Sequence, residues 1–181
     1  MRGGRGPFPS TGSSRLGLER QHRFEVEALP HLKAMYATAL RLTRNPHDAE
    51  DLVQETFLRA FRGFDGYTSG TNIRAWLYTI LHRARTDALR RSSRVPPMEE
   101  LSSDGPGLPP PQDALAGGQE DLARALDGLP ESFRAAVVLR DVEELSYQEI
   151  AQVLAIPVGT VMSRIHRGRL LLRKTLGGRR P

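Results

Sequence analysis

The chain contains no cysteine. That removes disulfides, cysteine-ligated zinc, thiol nucleophiles and any redox sensing carried out by this polypeptide itself. Long apolar runs are missing too. The longest, Ala135 to Leu139, falls far short of the ~20 residues that cross a bilayer, and no apolar signal-peptide core occurs near the start. The expected location is the cytoplasm, with no membrane insertion. Signatures of covalent chemistry are scarce as well. His22, His31, His47, His82 and His166 are scattered, and there is neither an HExxH pair nor a phosphate-binding loop ending in Gly-Lys-Ser/Thr. Asp48, Asp51 and Glu55 share a helix face, yet plain solvation explains them without a metal. The expectation is a protein with no catalytic residues, no metal and no cofactor.

What is present fits one mid-sized domain or two small ones: 181 residues, 39% hydrophobic, net charge +5. Of 26 cations 24 are arginine, a side chain suited to bidentate phosphate and guanine recognition. Composition divides the chain. Residues 1–23 hold five Arg against one Glu, with five Gly, and read as a disordered basic tail, either merely solvated or an auxiliary contact to DNA or polymerase. Residues 92–118 hold six Pro, four Gly and four Ser and read as a flexible linker that lets its flanking modules sit well apart on one ligand. The modules are residues 24–91 and 119–176, with 177–181 as a tail. In the second, residues 119–157 carry net −5 and residues 158–181 net +7. That polarity suits one end to an anion.

Nothing alternates with the period of a half-buried strand, so the fold class expected is all-α. Leu29, Leu32, Tyr36, Ala39 and Leu40 mark a first helix fading near Thr43. Asn45-Pro46 supplies an N-cap and a proline at the first helical position, with Asp48 and Glu50 complementing the helix dipole. The stripe of that second helix is Ala49, Val53, Phe57, Ala60, Phe61 and Phe64. Phe64 to Gly70 breaks into a loop. A third helix from Thr71 or Asn72 buries Ile73, Trp76, Leu77, Ile80, Leu81, Ala84 and Ala88, and carries Arg74, His82, Arg83, Arg90 and Arg91 on a basic face. Such a face binds phosphate or simply complements a helix C-terminus, and the pattern alone leaves both open.

The second module carries the sharper pattern. Leu122, Leu126 and Leu129, then Phe133, Val137, Val138 and Val142, give two amphipathic helices separated at Pro130. Ser146 and Glu149 form a capping box, with Leu145 and Ile150 as its hydrophobic staple. That helix stops at Ala155-Ile156-Pro157. The next begins near Val158 and buries Val158, Val161, Ile165 and Leu172, with Ala151 small at the crossing point. Two short helices on a tight turn with a cationic second face describe a helix-turn-helix. No acid occurs from Ile150 onward. Thr160, Met162, Ser163, Arg164, His166 and Arg167 project outward, with Arg169, Arg173 and Lys174 beyond.

On these residues the chain resembles the extracytoplasmic-function (ECF) class of bacterial RNA polymerase sigma factors over roughly residues 24–176. LPESFRAAVVLRDVEELSYQEIAQVLAIPVGTVMSRIHRGR, Leu129 to Arg169, is similar to sigma region 4. DAEDLVQETFLRAF, Asp48 to Phe61, is similar to region 2.2, and TNIRAWLYTILHRARTDALRR, Thr71 to Arg91, to regions 2.3 and 2.4. The resemblance implies two small helical domains, a region 2 bundle and a region 4 helix-turn-helix. Asp51, Leu52, Gln54, Glu55 and Leu58 would meet the β′ clamp helices of core polymerase. Phe64, Tyr67, Asn72, Arg74, Trp76, Tyr78, His82, Arg83 and Arg90 would hold the opened −10 strand, although the spacing of Trp76 equally fits a core role. Thr160, Met162, Ser163, Arg164, His166, Arg167, Arg169 and Arg173 would read or support the −35 element. The β flap and an anti-sigma factor are further implied partners, and the acidic linker would occupy the RNA exit path. TNIRAWLYTIL also resembles the subgroup held by zinc-containing, thiol-sensing anti-sigma factors. The competing function is a helix-turn-helix regulator that never engages polymerase, though no dimerisation helix is evident and the first module would have no task.

Overall fold

The computed structural model describes residues 11–92 and 118–177, with side chains from 17 and from 121 in the two stretches. Its elements are α1 (Thr11–Glu27), a 3-10 turn (Leu29–His31), α2 (Leu32–Thr43), α3 (Pro46–Gly63), a second 3-10 turn (Phe64–Gly66), α4 (Ile73–Ser92), α5 (Gly118–Asp127), α6 (Glu131–Val137) running into a π-helical turn (Val138–Val142), α7 (Tyr147–Leu154) and α8 (Val158–Gly177). No strand occurs among the described residues. The fold is all-α.

Local signals place most boundaries. Asn45 caps α3, its Oδ1 accepting from the amides of His47 at 2.8 Å and Asp48 at 3.2 Å. Arg44 just before it is left-handed at φ 61° and closes α2. Asn72 caps α4, accepting from the amides of Arg74 and Ala75. The capping box of α7 forms with both hydrogen bonds, and Ala155 ends the helix in the left-handed region at φ 53°.

The described part of the expected tail, residues 11–23, is helical and continues to Glu27. Its anchor is Phe24, buried edge-on against Phe61 and Phe64 at centroid distances of 5.2 and 5.1 Å. Composition misses this because one aromatic per helix is enough to dock it. Residues 1–10, 93–117 and 178–181 lie outside the described residues, and with them most of the expected linker.

The two modules do not stand apart. α4 packs against α3 on one side and α7 on the other, and one buried cluster runs from Phe24 and Leu77 through to Ile150 and Ile165. The contact rotates the expected stripe of α4: Leu77, Tyr78, Leu81, Ala84 and Arg85 are buried, while Ile73, Trp76 and Ile80 are half-buried and Ala88 is exposed. A helix covered on two sides has no single buried stripe. In the second module α6 and α8 pack tightly at Gly168, where an added Cβ would lie 2.6 Å from Val137 Cγ2.

Candidate nucleic-acid and polymerase interfaces

α7 and α8 are joined by the tight turn at Ala155-Ile156-Pro157, and Val161 and Ile165 are buried beneath α8. The opposite face is therefore turned to solvent. Met162 (49% exposed), Ser163, His166, Arg167 and Arg173 are exposed, and Thr160 and Arg164 half-buried. Two of the residues expected at the −35 element are already engaged. Ser163 Oγ donates to the carbonyl of Thr160 at 2.9 Å, and Arg169 forms a two-pronged pair with Asp141, its Nε 3.0 Å from Oδ2. That pair holds the Arg169 guanidinium even more firmly protonated. Arg167, His166 and Arg173 are the side chains most available to a duplex.

The residues placed at the opened strand have different surroundings. Phe64 and Tyr78 are fully buried and Tyr67 nearly so. Tyr67 stacks on Phe64 at 5.7 Å and leans on the half-buried Trp76 at 5.1 Å, and its hydroxyl donates to the Thr71 carbonyl at 2.9 Å. Asn72 Nδ2 donates to Glu149 Oε1 at 2.5 Å. Arg74 Nη2 donates to the Glu143 carbonyl at 2.8 Å and to its Oε2 at 2.9 Å. His82 is half-buried, whereas Arg83 and Arg90 are exposed.

The inter-module contact thus has a polar centre that sequence reasoning did not single out. Glu143 is only 4% exposed and takes hydrogen bonds from Arg74 and from the buried hydroxyl of Thr38. Burial, followed by the neighbouring Glu143 carboxylate, pushes the Tyr78 phenol above its ordinary range. Glu149 would be raised by burial, but hydrogen bonds from Ser146 and Asn72 pull it below the usual carboxylate value. Burial lowers His82, and the Arg85 and Arg164 cations add to the effect. A second bridge joins Arg85 Nη1 to Glu131 Oε1 at 2.5 Å. Arg134, 3% exposed, donates to the carbonyls of Leu126 at 3.0 Å and Leu129 at 2.8 Å, closing the end of α5. A lone arginine in an apolar run gives no sequence signal for such work.

Four of the five residues expected at polymerase share an open face of α3: Asp51, Gln54 and Leu58 are exposed and Glu55 half-exposed. Leu52 is buried and packs inward. All five line a groove of about 1060 Å³ between α3, the C-terminal end of α4 and the α5–α6 turn, whose far wall includes Asp127 and Glu131. Among the described residues no group of three His, Asp or Glu is placed to hold a metal, and no helix is long and apolar enough to cross a membrane.

Comparison with known proteins gives two domain matches: Sigma-70 region 2 over residues 29–95 and Sigma-70 region 4 over residues 119–172. The ECF RNA polymerase sigma factor SigE of Mycolicibacterium smegmatis is 47% identical over 154 residues, covering 81% of this chain and 58% of that protein. The ECF RNA polymerase sigma factor SigW of Bacillus subtilis is 34% identical, over 78% of this chain and 82% of that protein. Among solved structures, the sigma factor RpoE bound to the anti-sigma factor NepR from Bartonella quintana superposes with TM-score 0.69 at 28% identity, covering 87% of this chain and 99% of that one. CnrH in complex with the cytosolic domain of CnrY shares the fold, at TM-score 0.64 and 24% identity.

Proposed function

Because the chain belongs to the ECF class of RNA polymerase sigma factors, a class of transcription-initiation factors, we propose that α8 reads the −35 element while α4 and the 64–70 loop hold the opened −10 strand. Arg164 and Arg167 are the candidates for guanine edges in the major groove, with Arg169 and Arg173 on phosphates. Arg74, Arg83 and Arg90 would pair with strand phosphates, and Asn72 and His82 offer hydrogen bonds. The open face of α3, with Asp51, Gln54, Glu55 and Leu58, would take the polymerase clamp helices, and the β flap would meet the second module. The chain itself then performs no covalent chemistry. It lends sequence recognition to an enzyme that lacks it.

The observation that carries this reading is the solvent-facing cationic face of α8, a helix with no acid of its own, above a capped helix-turn-helix. A conformational step belongs to it. Elements centred about 25 base pairs apart lie ~85 Å apart along B-form DNA at ~3.4 Å per base pair. Here α4 and α7 are in contact, so one molecule reads both elements only after the modules separate. The chain from Ser92 to Gly118 spans at most ~90 Å when fully drawn out, which is enough. The packed arrangement is accordingly the form an anti-sigma factor would hold. TNIRAWLYTIL supports an inhibitor of the zinc-containing, thiol-sensing kind, which would carry all the redox chemistry a cysteine-free chain cannot.

Run-off transcription with purified core enzyme tests the function. Promoter-directed transcripts that depend on this chain are expected. Tight duplex binding without any such transcript would favour the conventional regulator instead.

A further inference from the structure

We propose that α1 braces the 64–70 loop in the shape that receives the opened strand, with Phe24 as anchor and Arg20 and Glu27 as positioning residues. The inference rests on the −10 reading above and extends it to a helix that precedes the region 2 match at residues 29–95.

Arg20, Phe24 and Glu27 follow one another at i, i+4 and i+7, so they share a face of α1 and span ~10 Å along it. All three meet the same target. Phe24 is packed edge-on to Phe57, Phe61 and Phe64. Arg20 Nη2 donates to the Phe61 carbonyl and, at 3.2 Å, to that of Arg62. These belong to the last turn of α3, where the Phe61 carbonyl also accepts the Phe64 amide, so Arg20 adds a side-chain bond to the capped end. Arg20 Nε lies 3.1 Å from the Asp65 carboxylate at the loop entrance. At the far end, Ser69 Oγ donates to Glu27 Oε1 at 3.1 Å. The loop is therefore tied to α1 at both ends while its aromatic residues turn inward and pack at a tilt against Trp76. Thr68, Ser69, Gly70 and Thr71 are left exposed, with Gly70 at φ 86°. Their position depends on the two ties.

Charge gives Arg20 a second task. Asp65 stands beside the surface assigned to a polyanion, and the Arg20 cation 3.1 Å away offsets part of its repulsion. Neither tie is needed for folding, since partly exposed ion pairs and hydrogen bonds of this kind contribute little to stability, whereas Phe24 supplies the apolar burial. Position and stability are thus separable by substitution.

The test uses the full cysteine-free chain. A nitroxide on Gly66→Cys reports loop motion at a site where an added Cβ meets nothing within 4 Å. In parallel, transcription with core enzyme from promoters randomised at the −10 or the −35 element reports base preference. Arg20→Gln with Glu27→Gln is expected to leave the melting temperature and core affinity close to wild type, sharpen the nitroxide spectrum toward faster motion, and cut −10 base preference at least threefold with −35 preference unchanged. Arg20→Lys, which keeps the charge, is expected to recover part of the −10 preference. An unchanged spectrum and unchanged −10 preference in the double variant would overturn the proposal, as would an equal loss at both elements. If wild type starts no transcripts at all, the sigma-factor assignment of this loop fails, and the nitroxide spectrum decides the brace by itself.

Discussion

Replacing Glu143 by alanine should open the molecule without unfolding it. In the packed form the Glu143 carboxylate accepts from Arg74 at 2.9 Å and from Thr38, and the Glu143 side chain is 4% exposed against 35% for Arg74. Breaking a fully buried pair costs ~3–5 kcal/mol, but Arg74 can rehydrate, so the loss is nearer ~2 kcal/mol after allowing for that exposure. Thr38 keeps the Tyr78 hydroxyl at 3.4 Å as a fallback partner. A change of ~2 kcal/mol moves the ratio of packed to separated molecules about 30-fold, at ~1.4 kcal/mol per factor of ten. Glu143→Gln keeps the shape and loses only the charge, so it should fall between wild type and alanine. Fluorescence energy transfer reads this directly. The chain has no native cysteine, so dyes on Gly63→Cys and Gln148→Cys, both exposed positions on different modules, report separation alone. The expected result is high transfer in wild type and a clear shift to low transfer in Glu143→Ala. Equal transfer in all three proteins would refute the argument that this buried carboxylate holds the modules together.

Gly168→Ala should destabilise the second module by ~1–3 kcal/mol through overpacking against Val137, partly offset by ~1 kcal/mol of helix propensity, and denaturant melts of the full chain measure the balance. Arg164→Ala or Arg167→Ala should weaken specific −35 binding by ~1–3 kcal/mol if it removes a bidentate base contact, with core affinity intact in a competition assay. Gln54→Ala with Glu55→Ala should do the reverse, and unchanged affinity for core enzyme would count against the α3 docking face. His82 has its pKa depressed by burial and by Arg85 and Arg164, so the stability it supports is fully present above the unfolded value of ~6.5 and is lost as pH falls below it. Urea titrations at pH 7.5 and 5.5 should therefore show a stability loss that shrinks in His82→Gln, with the remainder including His31, which is also depressed by burial.

Much of the molecule is legible in its sequence. The caps at Asn45 and Ser146, the stop at Pro157 and the free face of α8 are local, because a helix end is decided by side chains within three or four residues of it. The solvent exposure of Asp51, Gln54 and Leu58 on α3 was legible, but not the burial of Leu52, whose inward turn depends on what packs beside it. The loop aromatics were so only in part. Phe64 ends the apolar stripe of its helix, but Tyr67 looks exposed in a Gly-rich stretch, and only its stack on Phe64 and its contact with Trp76 bury it, with Phe24, 40 residues upstream of Phe64, edge-on to that ring. The helical nature of residues 11–27 escaped for the same reason: its cause is a contact with α3, not its own composition.

The amino-acid order alone determined the helices after α1, most of their ends, the cationic face of α8 and the absence of thiol chemistry, since each follows from neighbours along the chain. Tertiary structure alone decided that the two modules close on each other around Glu143, that Arg85 and Arg134 serve carbonyls and carboxylates inside the protein, and that α1 grips a loop it does not adjoin. Those outcomes depend on partners tens of residues away, and a charge or an aromatic ring in sequence carries no label for which distant group it will meet.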